Sequence, residues 1–214
     1  MRRIPLGVLF LAALERRVIF FRCRFGLTRG HMLDRMGESP FLAGWTTCPR
    51  CRHELEREET SIRCPACGLV VHANPAPTAS AVILDEAGRV LLARRANDPG
   101  AGLWDLIGGF IDEGEDPLEA LLREVREELS VDVEPGEYLG AYPDRYGADG
   151  VYTLNFYWLA RLGSGEIQVD GSELEEVAWF APLELPEPTA FAFPNTVQAL
   201  DDWRAQVGSG GADK

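Results

Sequence analysis

The chain has 214 residues, 46% hydrophobic and 26% charged, a composition that fits a soluble globular protein and excludes a disordered or membrane-embedded one. Its formal net charge is −13 and unevenly placed: residues 1–35 hold eight arginines against two acids, while the rest holds 13 basic and 32 acidic groups. A body this acidic repels a polyphosphate backbone, so general nucleic-acid binding is not expected; it suits a site that meets phosphates through bound cations.

Residues 1–44 read as a poorly defined N-terminal extension. The apolar run Ile4–Leu14 behind Arg2 and Arg3 resembles the core of a secretory signal, yet Glu15-Arg16-Arg17 interrupts it and no small-residue cleavage site follows. The run also falls short of the roughly 18 apolar residues that span a bilayer. It is therefore expected to be an extension without structure, with Met32 or Met36 as a later start, and no membrane association is expected.

A cysteine module follows at 45–73. Cys48-Pro-Arg-Cys51 and Cys64-Pro-Ala-Cys67 form two C-x-x-C pairs separated by twelve residues, leaving Cys23 isolated. Paired doublets of this kind hold tetrahedral Zn²⁺ through thiolates about 2.3 Å away. Four cysteines leave no open position, so the expected role is structural, and His53 and His72 are not needed as ligands. A zinc–thiolate site belongs in a reducing compartment, which points to the cytoplasm.

The body runs over 74–207, with a flexible tail at 208–214. Ala79–Leu84 and Arg89–Arg94 are short strands around the turn Asp85-Glu86-Ala87-Gly88, and Leu103–Ile111 is extended, with Gly108-Gly109 allowing unusual backbone angles. Asp116–Leu129 is a helix: Asp116 as N-cap, Pro117 at the first position and Glu119 completing a capping box. Leu118, Leu121, Leu122, Val125 and Leu129 give it one apolar face. Gly136–Pro143 and Val151–Leu162 form a strand pair across Gly147–Gly150, Val177–Phe180 is a late strand, and Asn195–Val207 a closing helix. Strands with only two clear helices argue for an α+β class rather than regular βαβ winding.

On the central helix Glu124, Glu127 and Glu128 are spaced i, i+3 and i+4, so their carboxylates fall together away from the leucine face. Like charges at that spacing oppose the helix by a few tenths of a kcal/mol per pair, roughly. Arg123 offsets part of this by pairing with Glu127, and a hard cation such as Mg²⁺ or Mn²⁺ would offset more, because both prefer carboxylate oxygens. On the glutamates alone, a solvated acidic face and a metal cluster are equally good readings.

The surrounding pattern separates them. Gly109, five residues, Glu115, seven residues and then Arg123-Glu124-Val125-Arg126-Glu127-Glu128-Leu129-Ser130-Val131 resembles the Nudix box, with Ser130 where the family usually has glycine. The resemblance implies a Nudix α/β/α sandwich with a mixed sheet, preceded by a small zinc ribbon. It implies an enzyme that hydrolyses a nucleoside diphosphate linked to another group, using Mg²⁺ or Mn²⁺. Glu124, Glu127 and Glu128 would be metal ligands, with Glu127 and Arg123 catalytic. Glu115 would be an accessory ligand or would hold Arg123 in place, and the Gly109 carbonyl would supply a further oxygen. Glu173, in the loop before the late strand, is the candidate general base, with Glu176 the runner-up.

A zinc ribbon before a Nudix box occurs in two branches. The NADH pyrophosphatase and NAD-cap-removing branch carries S-Q-P-W-P-F-P-x-S after the box, where this chain reads Tyr142-Pro143-Asp144-Arg145-Tyr146-Gly147. The plant-type ADP-ribose and FAD pyrophosphatases resemble it in Ala73-Asn74-Pro75, Gly102-Leu103-Trp104 and Ala190-Phe191-Ala192-Phe193, though Ile107 stands where that family usually has proline. The expected substrate is thus ADP-ribose, FAD or a similar dinucleotide, cleaved to release AMP. The alternatives are NADH or an NAD cap as substrate, or a non-catalytic ADP-ribose sensor. Arg94 and Arg95 are candidate phosphate contacts, and Trp104, Tyr146 and Phe193 candidate stacking partners. Many relatives are dimers, so a homodimer is a further expectation.

Overall fold

Alternation along two neighbouring strands sets the architecture. In β4 (Ala76–Leu84), Ala79, Ala81 and Ile83 face one apolar cluster while Val82 faces another; in β5 (Val90–Arg95), Leu91 and Ala93 join the first cluster and Val90 and Leu92 the second. Successive side chains of a strand point to opposite faces, so both faces of the sheet must be covered. Helix α1 (Pro117–Leu129) covers the first face with Ala120, Leu121, Val125 and Leu129, and α2 (Pro194–Ser209) the second with Ala199, Leu200 and Trp203. The result is an α/β/α sandwich. The computed structural model describes residues 39–147, 150–169 and 171–209. The N-terminal extension with Ile4–Leu14 and Cys23, and most of the expected tail, lie outside the described residues. Among the described residues no helix is long and apolar enough to cross a membrane.

The cysteine module is a three-stranded antiparallel sheet of β1 (Glu56–Arg57), β2 (Ser61–Arg63) and β3 (Val70–His72). Its small core joins Leu55 and Ile62 to Cys48, Cys64 and Leu42, and Arg57 reaches back to the carbonyls of Leu42 (3.0 Å) and Trp45 (3.2 Å).

The main sheet is mixed, with strand order β10-β5-β4-β9-β8, where β8 is Val133–Arg145, β9 Tyr152–Leu162 and β10 Leu174–Phe180. The central β4–β9 pair is parallel from Ala76↔Thr153 to Leu84↔Arg161, and the other ladders are antiparallel. The expected β4–β5 hairpin exists, but it is paired only at Leu84↔Val90. Beyond the turn the strands part, and the segment expected to be one extended stretch divides between them. Its first part, β6 (Trp104–Asp105), pairs β5, and its second, β7 (Ile107–Phe110), pairs β4 from Thr78↔Phe110 to Ala81↔Ile107. The break falls at Leu106, buried in the α2-side core.

Helix α1 begins as its sequence predicts. Asp116 accepts from the Leu118 N–H at 2.9 Å and Glu119 from the Asp116 N–H at 3.2 Å, closing the capping box. It ends at Ser130 in the left-handed region, φ 58° and ψ 28°, the conformation for which the family's glycine is suited. A side chain there costs about 1 kcal/mol. Ser130→Gly is therefore expected to stabilise the protein by roughly 0.5–1 kcal/mol, about 1–4 °C in Tm. Denaturant titration measures it, and a lower midpoint would rule out strain at this cap.

Candidate active site

The two glycines before α1 serve different ends. Gly108 has φ 146°, and a Cβ there would overlap the Ala79 carbonyl and Ser80 of β4. Gly109 lies outside the left-handed region, so its need is for space and not for an unusual angle: a Cβ would collide with the Glu124 carboxylate. The glycine strand thereby lets the carboxylates of α1 come against its backbone.

The three glutamates fall together as their spacing predicts, but they are not equivalent. Glu127 has 60% of its side chain exposed and Glu124 14%, while Glu128 is buried and accepts from the Gly108 N–H at 3.2 Å. At 100° per residue Glu128 lies only roughly 20° around the helix from Leu121, which carries it under the edge of the sheet. Burial pushes its carboxyl well above the ordinary range, with the charges of Glu124, Asp105 and Glu173 adding to the effect against the Gly108 N–H. Glu124 is raised too, by burial first and then by Glu127 and Glu173, against the pull of Arg123. Desolvated, mutually repelling carboxylates suit a hard divalent cation better than a solvated acidic surface does.

Arg123 sits among these acids. Its guanidinium makes a bidentate contact with Glu115 (2.9 Å twice) and meets Glu124 (2.8 Å), Glu127 (3.0 Å) and the Phe110 carbonyl (3.0 Å). All five N–H groups are used. Both Glu115 oxygens thus accept from Arg123, and the Asp112 N–H adds a further bond at 3.1 Å.

Glu173 immediately precedes β10. Its carbonyl accepts from the Ala96 N–H at 2.8 Å, and its charge is felt at both Glu124 and Glu128. Glu176 instead lies within β10, opposite Arg94, and pairs with it at 2.9 Å.

Arg94 and Arg95 part company. Arg94 also bonds the Gly102 carbonyl (3.0 Å) and lies 5.5 Å over Trp104, itself edge-on to Phe180 at 5.2 Å and packed on the α2-side core. Arg95 turns to Tyr146 and Phe193, whose rings stack at 5.5 Å with 19° between planes. Tyr146 in turn meets Phe110 edge-on at 5.3 Å, beside Gly109. The structure therefore brings Arg95, Tyr146 and Phe193 toward the acidic helix, and leaves Arg94 and Trp104 in a separate contact. Two members of this neighbourhood, Asp105 and Phe110, went unnoticed in the sequence; a lone acid between Trp104 and Leu106 in an apolar strand was the available signal.

In the cysteine module the four Sγ atoms lie within 4.8 Å of one another. Cys48–Cys67 is 3.6 Å and Cys51–Cys64 is 3.5 Å, near the about 3.8 Å separation of thiolates around a tetrahedral zinc with 2.3 Å bonds. Burial resists ionisation of Cys48, but the Cys51 and Arg50 N–H groups and the neighbouring thiols outweigh it and draw the thiol down to about 6. Cys51 goes the other way. The His53 N–H lowers it, yet Cys64, burial and the other thiols prevail and push it up to about 12. Such a quartet fits a metal that takes all four as thiolates.

The fold agrees with the comparisons. Residues 74–200 match the NUDIX domain family, and the chain belongs to the Nudix family. It is similar to the NAD-capped RNA hydrolase NudC of Pseudomonas aeruginosa, 32% identical over 141 residues, 65% of this chain and 49% of that protein. NudC of Haemophilus influenzae is 31% identical over 166 residues, 73% of this chain and 61% of that protein. The chain thus spans half to three fifths of the length of these curated relatives. Among solved structures, a NUDIX hydrolase from Nitrosomonas europaea superposes with a TM-score of 0.64 at 25% identity, over 77% of this chain and 93% of that one.

Proposed function

We propose that this chain is a Mg²⁺- or Mn²⁺-dependent pyrophosphohydrolase that splits a nucleoside diphosphate linked to another group and releases AMP. The observation that carries the reading is the set Glu124, Glu127 and Glu128 against the Gly108–Gly109 strand, the first two held by Arg123 and the third by the Gly108 N–H. Glu124, Glu127, Glu128 and the Gly109 carbonyl would hold the cation. That cation would neutralise the diphosphate and lower the pKa of the attacking water. Arg123 bridges and orients the Glu124 and Glu127 carboxylates, and Glu115 keeps Arg123 in place. Glu173, whose charge reaches Glu124 and Glu128, takes the proton from water. Arg95 meets a phosphate oxygen, and the Tyr146–Phe193 pair lies where an attached aromatic group would stack.

The absence of the S-Q-P-W-P-F-P-x-S stretch supports ADP-ribose or FAD as substrate. The similarity to NAD-capped RNA hydrolases supports a second reading, NADH or an NAD cap. Turnover of ADP-ribose, FAD, NADH and an NAD-capped oligonucleotide by zinc-loaded protein, with and without Mg²⁺ or Mn²⁺, separates them. Metal-dependent cleavage is expected of at least one, read as AMP from ADP-ribose, FAD or NADH, and as nicotinamide mononucleotide with a 5′-monophosphate end from the capped oligonucleotide. Tight binding without turnover would support the ADP-ribose sensor instead, and neither binding nor turnover would remove all these substrates.

A further inference from the structure

Asp105 has a geometry that the reading above does not use. Its side chain is only 15% exposed, and a carboxylate so placed needs compensation. Oδ1 accepts from the Leu106 N–H at 2.8 Å and from the Thr196 hydroxyl at 2.7 Å, in the first turn of α2. Oδ2 faces the Arg95 guanidinium, with Nη1 at 3.4 Å. The neutral donors are gathered on one oxygen and the cation on the other.

Arg95 is held on every other side as well. Nε donates to the Pro99 carbonyl at 2.9 Å, Nη2 donates to the Tyr146 hydroxyl at 3.2 Å, and the Phe193 ring lies 5.2 Å from the guanidinium carbon. Among the described residues these bonds and that to Asp105 occupy three of five N–H groups and leave one on each Nη. The side chain keeps 20% exposure, and Arg95 pairs in register with Leu174, next to Glu173. Through Tyr146 and Phe110 it adjoins Gly109, and Arg123 binds the Phe110 carbonyl. Arginine is rich in rotamers, and fixing it before substrate arrives removes an ordering cost from binding.

We propose that Asp105 is a positioning residue that fixes Arg95 in the orientation in which its two remaining N–H groups meet an oxygen of the substrate's phosphate. The proposal rests on the hydrolase reading and on Arg95 as a phosphate contact. Asp105→Asn tests it, because an amide oxygen keeps the Thr196 and Leu106 bonds and removes the charge facing Arg95. With ADP-ribose or NADH in Mg²⁺, KM is expected to rise about tenfold, while kcat falls less than threefold, roughly. Arg95→Ala should raise KM at least as much, and adding Asp105→Asn to it should raise KM no further. A purely structural Asp105 would lower Tm and leave KM unchanged, which overturns the proposal; so does an effect on KM that multiplies fully with that of Arg95→Ala. An unchanged KM in Arg95→Ala, with active wild type, refutes the phosphate contact and the proposal but leaves the hydrolase standing. An inert wild type refutes both. Should Asp105→Asn not fold, Tyr146→Phe takes its place, removing only the oxygen at Nη2. KM should then rise about threefold, and not at all in the Arg95→Ala background; an unchanged KM overturns the positioned guanidinium.

Discussion

Glu127→Gln is expected to lower kcat by about 10²–10⁴-fold with little change in nucleotide affinity or fold. The residue is 60% exposed and, among the described residues, its side chain is hydrogen-bonded to Arg123, so the exchange removes a charge and a candidate metal ligand with little effect on packing. Steady-state kinetics with Mg²⁺, alongside nucleotide binding and a thermal melt, measures this; full activity in a folded variant would remove Glu127 from the chemistry. Glu128→Gln carries a second expectation, because Glu128 is buried. Its amide oxygen would keep the Gly108 N–H bond and escape the cost of burying charge, so the metal-free protein should melt higher while turnover is lost. The sign of the pH dependence agrees. Above 4.5 the unfolded chain releases this proton while the folded state, with its raised pKa, retains it. Metal-free stability is then full below about 4.5 and declines as pH rises toward the folded value. Glu128→Gln should flatten that decline, and an unaltered slope would show that another group is responsible.

Zinc removal, or Cys64→Ser, is expected to unfold the cysteine module while the sandwich stays folded. The module has strands of two or three residues and a core of Leu42, Leu55 and Ile62 around Cys48 and Cys64. So little apolar surface cannot offset the entropy of ordering the segment, whereas structural zinc contributes about 10 kcal/mol or more in small zinc-binding peptides. The sandwich has two larger clusters of its own. Hydrogen exchange reads the difference. The Cys48, Cys64 and Gly68 amides, which donate to the carbonyls of His53, Leu69 and Cys64 respectively, should lose protection on chelation, and those of β4 and β9 should keep it. Persisting protection in zinc-free protein, or a purified chain containing no zinc, would contradict the assignment.

What the sequence determines alone is local and periodic. The Asp116–Glu119 capping box, the leucine spacing of α1, the two C-x-x-C doublets and the Asp85–Gly88 turn each act within a few residues, so their meaning does not wait on the rest of the chain. The box spacing carried the family in the same way. What only the tertiary structure decides is partnership across distance. Leu103–Ile111 reads as one extended run, but pairing with two diverging strands breaks it at Leu106. Helical spacing put Glu124, Glu127 and Glu128 together, and the approach of Gly108 and Gly109 made one exposed, one half-buried and one buried. Arg94 and Arg95 are alike in sequence, yet one meets Glu176 and Trp104 and the other Asp105, Tyr146 and Phe193. A wheel or an alternation tells which side a residue takes; what waits on that side comes from chain far removed in sequence, and it is that neighbour which sets a side chain's burial, charge and use.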